Sequence, residues 1–159
     1  MMYKIPMTVN GMRKLKKELH ELKHHKRPKI ISSLIEARKH GDLKENAEYH
    51  AAREEQSFCE SRIRDIESKL CYAQVIDIKN INFSGKVIFG TTVEILNLNT
   101  NKICKFCIVG NDESDFKNNL ISIDSPVSRA LIGQKISDIV IVNTPSGKLR
   151  YKILNIEHI

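Results

Sequence analysis

The fold of this chain is decided by a six-residue stretch, His40-Gly41-Asp42-Leu43-Lys44-Glu45, which separates two long segments of helical periodicity. Gly41 is typical of a residue that ends a helix, and Asp42 of an N-cap that begins the next one. A connection this short makes the flanking helices antiparallel neighbours. The sequence therefore predicts a helical hairpin that presents Asp42 and Glu45 at its exposed tip.

Apolar residues recur at three- and four-residue steps on both sides of this tip, as expected for helices with one buried face. In the first segment the pattern weakens before Pro28. Pro28 predicts a kink or a helix restart, because proline lacks a backbone donor and clashes with the preceding turn. In the second segment the steps alternate regularly and predict a heptad seam. The seam consists of Tyr49, Ala52, Gln56, Cys59, Ile63, Ile66, Leu70 and Ala73.

After about Val75 the periodicity changes to two residues, which is typical of strands. A short helix is predicted at 128–132, introduced by Ser125 and Pro126. The chain is thus predicted to be α+β, with an antiparallel coiled-coil hairpin over residues 1–76 and a β-rich domain over residues 77–159. The strand candidates are residues 87–89, 92–98, 103–109, 120–123, 139–142 and 149–156.

The charge of the chain is unevenly distributed. The net charge is +7, yet residues 1–44 hold twelve Lys and Arg against four Asp and Glu, whereas residues 45–76 hold four against seven. The basic first helix suits either a polyanion or an acidic neighbouring helix. Neither a secretory signal nor an apolar run long enough to span a bilayer is present, which predicts a cytoplasmic protein without a membrane partner. The four cysteines are accordingly expected to be reduced.

Asp42 and Glu45 admit two interpretations, and the residues by themselves leave both open. Asp at an N-cap followed three residues later by Glu is the carboxylate form of a capping box. Two carboxylates in a turn without His or Cys also suit a hard cation such as Mg²⁺. Because Mg²⁺ takes about six oxygen ligands, the pair would hold the ion weakly, and a partner would complete its coordination.

Little else in the sequence indicates an active site. The six histidines fall mostly on predicted helix surfaces and are interpreted as solvated side chains. We find neither a glycine-rich phosphate loop nor a nucleophile elbow. Aromatic residues, at 6%, are too sparse for the stacking platform of a single-strand binder. A stand-alone enzyme or nucleic acid domain is therefore disfavoured.

Residues 41–49, Gly-Asp-Leu-Lys-Glu-Asn-Ala-Glu-Tyr, closely resemble the tip of the bacterial Gre transcript cleavage factors, as do residues 50–54. The resemblance implies a transcription elongation factor that enters the secondary channel of bacterial RNA polymerase when the enzyme has backtracked. It also implies that the factor stimulates the polymerase's own Mg²⁺-dependent cleavage of nascent RNA rather than catalysing alone. The family fold adds an FKBP-like globular domain after the coiled coil. Further matching segments are residues 5–8, 87–90, 119–122, 125–126 and 131–133.

The resemblance assigns a catalytic role to the tip. Asp42 and Glu45 match the acidic residues that stabilise the second catalytic Mg²⁺, which is weakly held and completed by the polymerase active site. The implied nucleic acid partners are the nascent RNA 3′ end and the DNA within the elongation complex. Arg38 and Arg53 flank the tip on the two helices, where we expect them to contact RNA phosphates.

The resemblance also assigns a docking surface. Asp124, Ser125 and Pro126 match the segment implicated in binding at the rim of the polymerase channel, and a monomeric factor is expected. Two other functions compete with this assignment. A peptidyl-prolyl isomerase or chaperone would need an aromatic-lined pocket, which a chain without Trp does not favour. A relative that inhibits from the same channel would carry additional acids at the tip, whereas residues 41–45 match the activating members.

Overall fold

The computed structural model describes residues 4–41 and 46–158. It divides into two compact units, one that contains Asn10–Ala73 and one that joins Ile5–Val9 to Gln74–Ile159. The predicted α+β class is confirmed. The division differs from the predicted boundary between residues 76 and 77, because Ile5–Thr8 forms a strand, β1, that pairs with β2 (Ala73–Ile76).

The helical unit consists of two arms. The first arm comprises α1 (Val9–Glu21), a π-helical turn (Leu22–Lys26) and α2 (Arg27–Arg38), and the second arm is α3 (Ala47–Tyr72). Arg27 of the first arm pairs with Glu60 of the second, and Ala37, further along the first arm, accepts a hydrogen bond from Asn46, which precedes Glu60. Residue numbers therefore rise along the first arm while those of the contacting residues fall along the second. The arms are therefore antiparallel, as predicted.

The seam between the arms is apolar and buried. Its core is formed by Leu22, Ile30, Cys59, Ile63 and Ile66. Burial of an isoleucine side chain contributes about 1.5–3 kcal/mol, so these residues supply much of the stability of the hairpin. Of the predicted heptad positions on the second arm, those at 52, 59, 63 and 66 are buried, whereas Ala73 lies beyond the end of the helix, in β2.

The first arm changes its helical register before Pro28. The backbone N–H of Arg27 bonds to the carbonyl of Leu22, five residues back, and Pro28 then stands in the first turn of α2. Lys26 and Arg27 keep helical dihedral angles. The predicted restart is therefore present in the form of a π turn, a feature that often accompanies functional sites.

The second unit is built on a five-stranded sheet with the order β5-β4-β3-β7-β6. Neighbouring strands are antiparallel except β4 and β5, which are parallel. One face packs a core that includes Val93, Ile95, Ile108 and Ile153, and α4 (Pro126–Leu131) contributes Leu131 to it. The strands are β3 (Thr92–Asn97), β4 (Lys102–Val109), β5 (Leu120–Ser122), β6 (Ile139–Thr144) and β7 (Gly147–Glu157).

Two predicted elements of this unit differ in the structure. Residues 87–89 do not form a strand: Lys86 makes one isolated bridge with Lys135, and Val87 donates to the carbonyl of Gln134 and accepts the N–H of Gly133. The short helix begins two residues earlier than predicted, because Ser125 caps it and Pro126 fits its first position. Among the helices of the described residues, none has the length and apolar character needed to cross a membrane.

Candidate functional site at the hairpin tip

The first arm ends at Arg38, three residues before the predicted stop. The N–H of Gly41 donates to the carbonyl of Arg38 at 3.3 Å, and Gly41 adopts a φ of +102°. A Cβ placed on Gly41 would meet nothing within 4 Å. Glycine is therefore required at this position by the backbone conformation rather than by a lack of space. The predicted role of Gly41 in ending the helix is confirmed.

The second arm begins later than predicted. Asn46, not Asp42, is the N-cap of α3: its Oδ1 accepts the backbone N–H of Tyr49 at 3.0 Å. The prediction that Asp42 caps this helix was wrong, because the helix starts at Ala47 and Asp42 precedes it by more than one turn. The sequence signal was available, since Asn caps as well as Asp does.

The side chain of Asn46 also joins the two arms. Its Nδ2 donates to the carbonyl of Ala37 at 2.5 Å, and the same carbonyl accepts the N–H of His40 at 3.2 Å. Ala37 is only 2% exposed. A partly buried polar bond of this kind is costly to break without replacement. Gly41 and Asn46 thus each donate a hydrogen bond to a carbonyl in the last turn of α2.

The catalytic candidates themselves, Asp42 and Glu45, lie outside the described residues, as does Leu43. Their donor chemistry is that of two carboxylates, which are hard oxygen ligands and suit Mg²⁺. Within residues 4–41 and 46–158, no group of three or more His, Cys, Asp or Glu is placed to hold a metal ion. The assignment of Mg²⁺ to the two tip carboxylates remains a prediction.

Of the two arginines predicted to contact RNA, one has a defined packing partner. The guanidinium Cζ of Arg38 lies 6.0 Å from the centroid of the Tyr49 ring, within cation–π distance. Tyr49 is in the first turn of α3, the turn that Asn46 caps. Arg53 is exposed one turn further along the same helix. Sequence reasoning placed Tyr49 in the seam and missed its contact with Arg38.

Ion pairs tie the arms together behind the tip. Arg27 binds Glu60 through two hydrogen bonds of 2.8 and 2.9 Å, and Arg62 binds Glu18 through bonds of 2.7 and 2.9 Å. The hydrogen bond from Arg62 lowers the pKa of the Glu18 carboxyl below its ordinary value. These two-pronged contacts hold the arms in register more strictly than a single lysine bond would.

The predicted docking segment lies in the β-rich unit, at the turn that leads into α4. Ser125 Oγ accepts the N–H of Ser128 at 3.2 Å and caps α4. The exposed Asp124 accepts a hydrogen bond from Nδ2 of Asn111 at 2.5 Å. Pro126 is exposed in the first helical turn. The segment is thus rigidly held at the surface, and its docking role remains a prediction.

Comparison with known proteins gives matches along nearly the whole chain. Residues 5–75 match the family model described as transcription elongation factor, N-terminal, and residues 82–158 match the one described as transcription elongation factor, GreA/GreB, C-terminal. Transcription elongation factor GreA of Buchnera aphidicola subsp. Schizaphis graminum is 61% identical over 98% of each chain. GreA of Yersinia pestis bv. Antiqua is 58% identical over 99% of this chain and 100% of its own.

Among solved structures, that of the transcription factor Gfh1 is similar to this chain. The match has 22% sequence identity and a TM-score of 0.46, and it covers 98% of this chain and 99% of the Gfh1 chain.

Proposed function

Because the chain belongs to the GreA/GreB family of transcription elongation factors, we propose that it acts in the secondary channel of bacterial RNA polymerase and stimulates cleavage of backtracked RNA. The structural observation that carries this proposal is the attachment of the tip. Gly41 and Asn46, which flank the two carboxylates in the sequence, each donate a hydrogen bond to the last turn of α2. Side chains that share a metal site with another protein must be held by well-fixed neighbouring residues.

Asp42 and Glu45 are the residues that we propose to act at the polymerase active site. Each would supply carboxylate oxygens to an Mg²⁺ ion whose remaining ligands come from the polymerase and from water. When bound, a second Mg²⁺ stabilises the attacking and leaving oxygens of an in-line displacement. A carboxylate oxygen not engaged with the ion would also orient the attacking water by accepting its hydrogen bond.

Catalysis in this proposal belongs to the complex, not to the factor. Two carboxylates cannot provide the near-octahedral set of oxygens that Mg²⁺ requires, so the isolated chain should hold the ion weakly. We therefore expect negligible cleavage by the factor without polymerase. Cleavage should appear only when the polymerase contributes its own metal and the aspartates that hold it.

Arg38 and Arg53 would contact the nascent RNA near its 3′ end. The packing of Arg38 against Tyr49 restricts its side chain, which reduces the entropy lost when the guanidinium binds a phosphate. Contacts with the DNA of the elongation complex belong to the same proposal. The first arm carries the positive charge that would attract both nucleic acids.

The β-rich unit would bind at the rim of the channel through Asp124, Ser125 and Pro126. The capped start of α4 and the bond from Asn111 to Asp124 present this surface with little conformational freedom. Little ordering cost then remains at the moment of binding. The proposal includes a monomeric factor that works in the cytoplasm, where the polymerase transcribes.

The decisive experiment compares Asp42→Ala and Glu45→Ala with the unaltered chain in a transcript cleavage assay on stalled elongation complexes. We expect both variants to fold and to bind polymerase, but to lose most of the stimulation of cleavage. Glu55→Ala is the matched control, since Glu55 is an exposed acid on α3 that lies outside the segment 41–54. Stimulation by both tip variants at the level of the unaltered chain would refute the catalytic role of the tip.

A prolyl isomerase assay addresses the competing function. We expect the chain to leave the cis/trans exchange of a proline peptide at its uncatalysed rate of tens to hundreds of seconds. Substantial acceleration would favour the isomerase or chaperone alternative. The same preparation should be active in the cleavage assay, so that a negative result does not reflect unfolded protein.

A further inference from the structure

Three of the six histidines come together on the first arm of the hairpin. The ring centroids of His20 and His24 lie 4.4 Å apart, and those of His20 and His25 lie 6.2 Å apart. All three side chains are exposed to solvent. The sequence pattern predicted solvated side chains for the histidines and did not group them.

The π turn explains why all three share one side of the arm. Residues five apart in an α-helix point about 140° away from each other, because each residue turns the helix by about 100°. In a π turn the hydrogen bond spans five residues, so that residues five apart approach one another. The bond from the N–H of Arg27 to the carbonyl of Leu22 is of this kind. His25 is thereby brought back toward His20.

Imidazole groups at this spacing are good ligands for one class of ion. Two histidines four residues apart on one helical face form the metal-binding half of the zinc motif H-E-x-x-H. Neutral imidazole suits Zn²⁺, Ni²⁺ and Cu²⁺, whereas Mg²⁺ takes oxygen ligands. A site built from His20 and His24 would therefore discriminate against the ion that the tip carboxylates require.

Ion pairs offset part of the positive charge around the cluster. Lys23 is paired with Glu67 at 2.8 Å and Arg27 with Glu60 at 2.8 Å, whereas the lysines at 16, 17 and 26 are exposed in the same stretch of the arm. Glu21 Oε1 lies 3.8 Å from Nε2 of His25 and adds a carboxylate beside the cluster. Such a carboxylate typically orients a ligating imidazole by accepting its second N–H.

We propose that His20 and His24 bind a divalent transition-metal ion. Both ligands come from consecutive turns of the first arm, and water fills the positions that the protein leaves open. Three histidines are not arranged as a complete ligand set among the described residues. His25 becomes a third ligand if its side chain rotates toward the ion. Because the ion would link two turns, its binding should stabilise the helix around the π turn.

The test is a calorimetric titration of the full chain with NiCl₂ and, separately, with ZnCl₂. We expect one ion bound per chain, unaffected by excess Mg²⁺. Loss of a residue that only hydrogen-bonds a metal ligand typically weakens metal binding about 10- to 100-fold. Loss of a ligand itself should cost no less, so we expect His20→Gln and His24→Gln each to weaken binding by at least about tenfold. Both side chains are exposed to solvent, so neither substitution should disturb the fold.

Two controls exclude other ligands. His50→Gln removes an exposed histidine from the second arm, and Cys71→Ser removes the exposed thiol of the hairpin; both should bind as the unaltered chain does. A second readout is the melting temperature, which the ion should raise in the unaltered chain but not in the doubly substituted His20→Gln, His24→Gln chain. Saturable binding that persists in this double variant, or no saturable binding by the unaltered chain, would overturn the proposal.

Discussion

The amide of Asn46 donates to the carbonyl of Ala37 at 2.5 Å, while its oxygen accepts the N–H of Tyr49 at 3.0 Å. One side chain thus begins the second arm of the hairpin and fastens it to the last turn of the first. The only residues between this bond and Gly41 are the four that contain the proposed catalytic pair. We therefore expect the action of that pair to depend on Asn46, although Asn46 takes no part in the proposed chemistry.

Substituting Asn46 with Ala should destabilise the hairpin. The change removes an N-cap, which typically costs about 0.5–2 kcal/mol. It also leaves the Ala37 carbonyl with one hydrogen bond fewer in a buried position. We expect the free energy of unfolding, measured by urea denaturation, to fall by about 1–2 kcal/mol or somewhat more.

Asn46→Asp separates the two functions of this side chain. Aspartate retains an oxygen that accepts the N–H of Tyr49, but it has no amide hydrogen to donate to Ala37. We expect this variant to keep most of the helix stability while it stimulates cleavage less than the unaltered chain does. Full stimulation by Asn46→Asp would mean that the bond between the arms does not position the tip.

Gly41→Ala should reduce stability through backbone strain alone. Gly41 has a φ of +102°, and the space around its Cα is open. An L-residue in the left-handed region costs about 1–2 kcal/mol, and we expect a loss of this size in thermal or urea unfolding. Lys39→Ala, two residues earlier and with helical dihedral angles, should change stability by less than about 0.5 kcal/mol. Equal stability of Gly41→Ala and Lys39→Ala would contradict a cost that arises from the backbone conformation of Gly41.

The stability of the hairpin should depend on pH through Glu18. The hydrogen bond from Arg62 lowers the pKa of Glu18 from its ordinary value of 4.5. A carboxyl whose pKa is lower in the folded state stabilises the fold above its unfolded-state pKa, and this contribution is lost as the pH falls through the folded-state pKa.

Glu18→Gln should therefore be less stable than the unaltered chain near neutral pH; the difference should shrink as the pH falls below the ordinary pKa of 4.5 and vanish below the lowered pKa of the folded state. Since both partners are about 40% exposed, with side-chain values of 39% for Arg62 and 42% for Glu18, we expect at most about 1 kcal/mol. Urea denaturation at a series of pH values measures this. Glu54→Gln, an exposed position on the other arm, should show no comparable pH dependence.

Changes in the proposed docking segment should affect binding rather than chemistry. Asp124→Ala and Pro126→Ala should weaken the affinity for polymerase, with cleavage restored at saturating concentrations of factor. Asp124→Asn keeps an oxygen for the bond from Asn111 and removes only the charge. The affinity of Asp124→Asn for polymerase therefore shows whether the polymerase recognises the negative charge of Asp124. Unchanged affinity of Asp124→Ala and Pro126→Ala, measured by direct binding, would remove this segment from the interface.

Much of the fold was predictable because it depends on which face of each element is buried. The seam of α3 and the alternation of buried and exposed residues in β3 can be read from consecutive residues, so short windows of sequence reveal them. The turn was equally local, since Gly41 marks the end of a helix by its own conformational freedom. The start of α3 was misplaced because two good caps, Asp42 and Asn46, lie within five residues and the sequence does not rank them.

By itself, then, the sequence determined a helical hairpin, a β-rich domain and a carboxylate pair between the two arms, because periodicity and turn chemistry act between near neighbours. Only the tertiary structure decided that β1 joins the second unit, since its partner β2 lies far along the chain. It also decided that Asn46 binds Ala37 and that a π turn gathers His20, His24 and His25. These relationships depend on hydrogen-bond registers that a pattern of residue types does not encode.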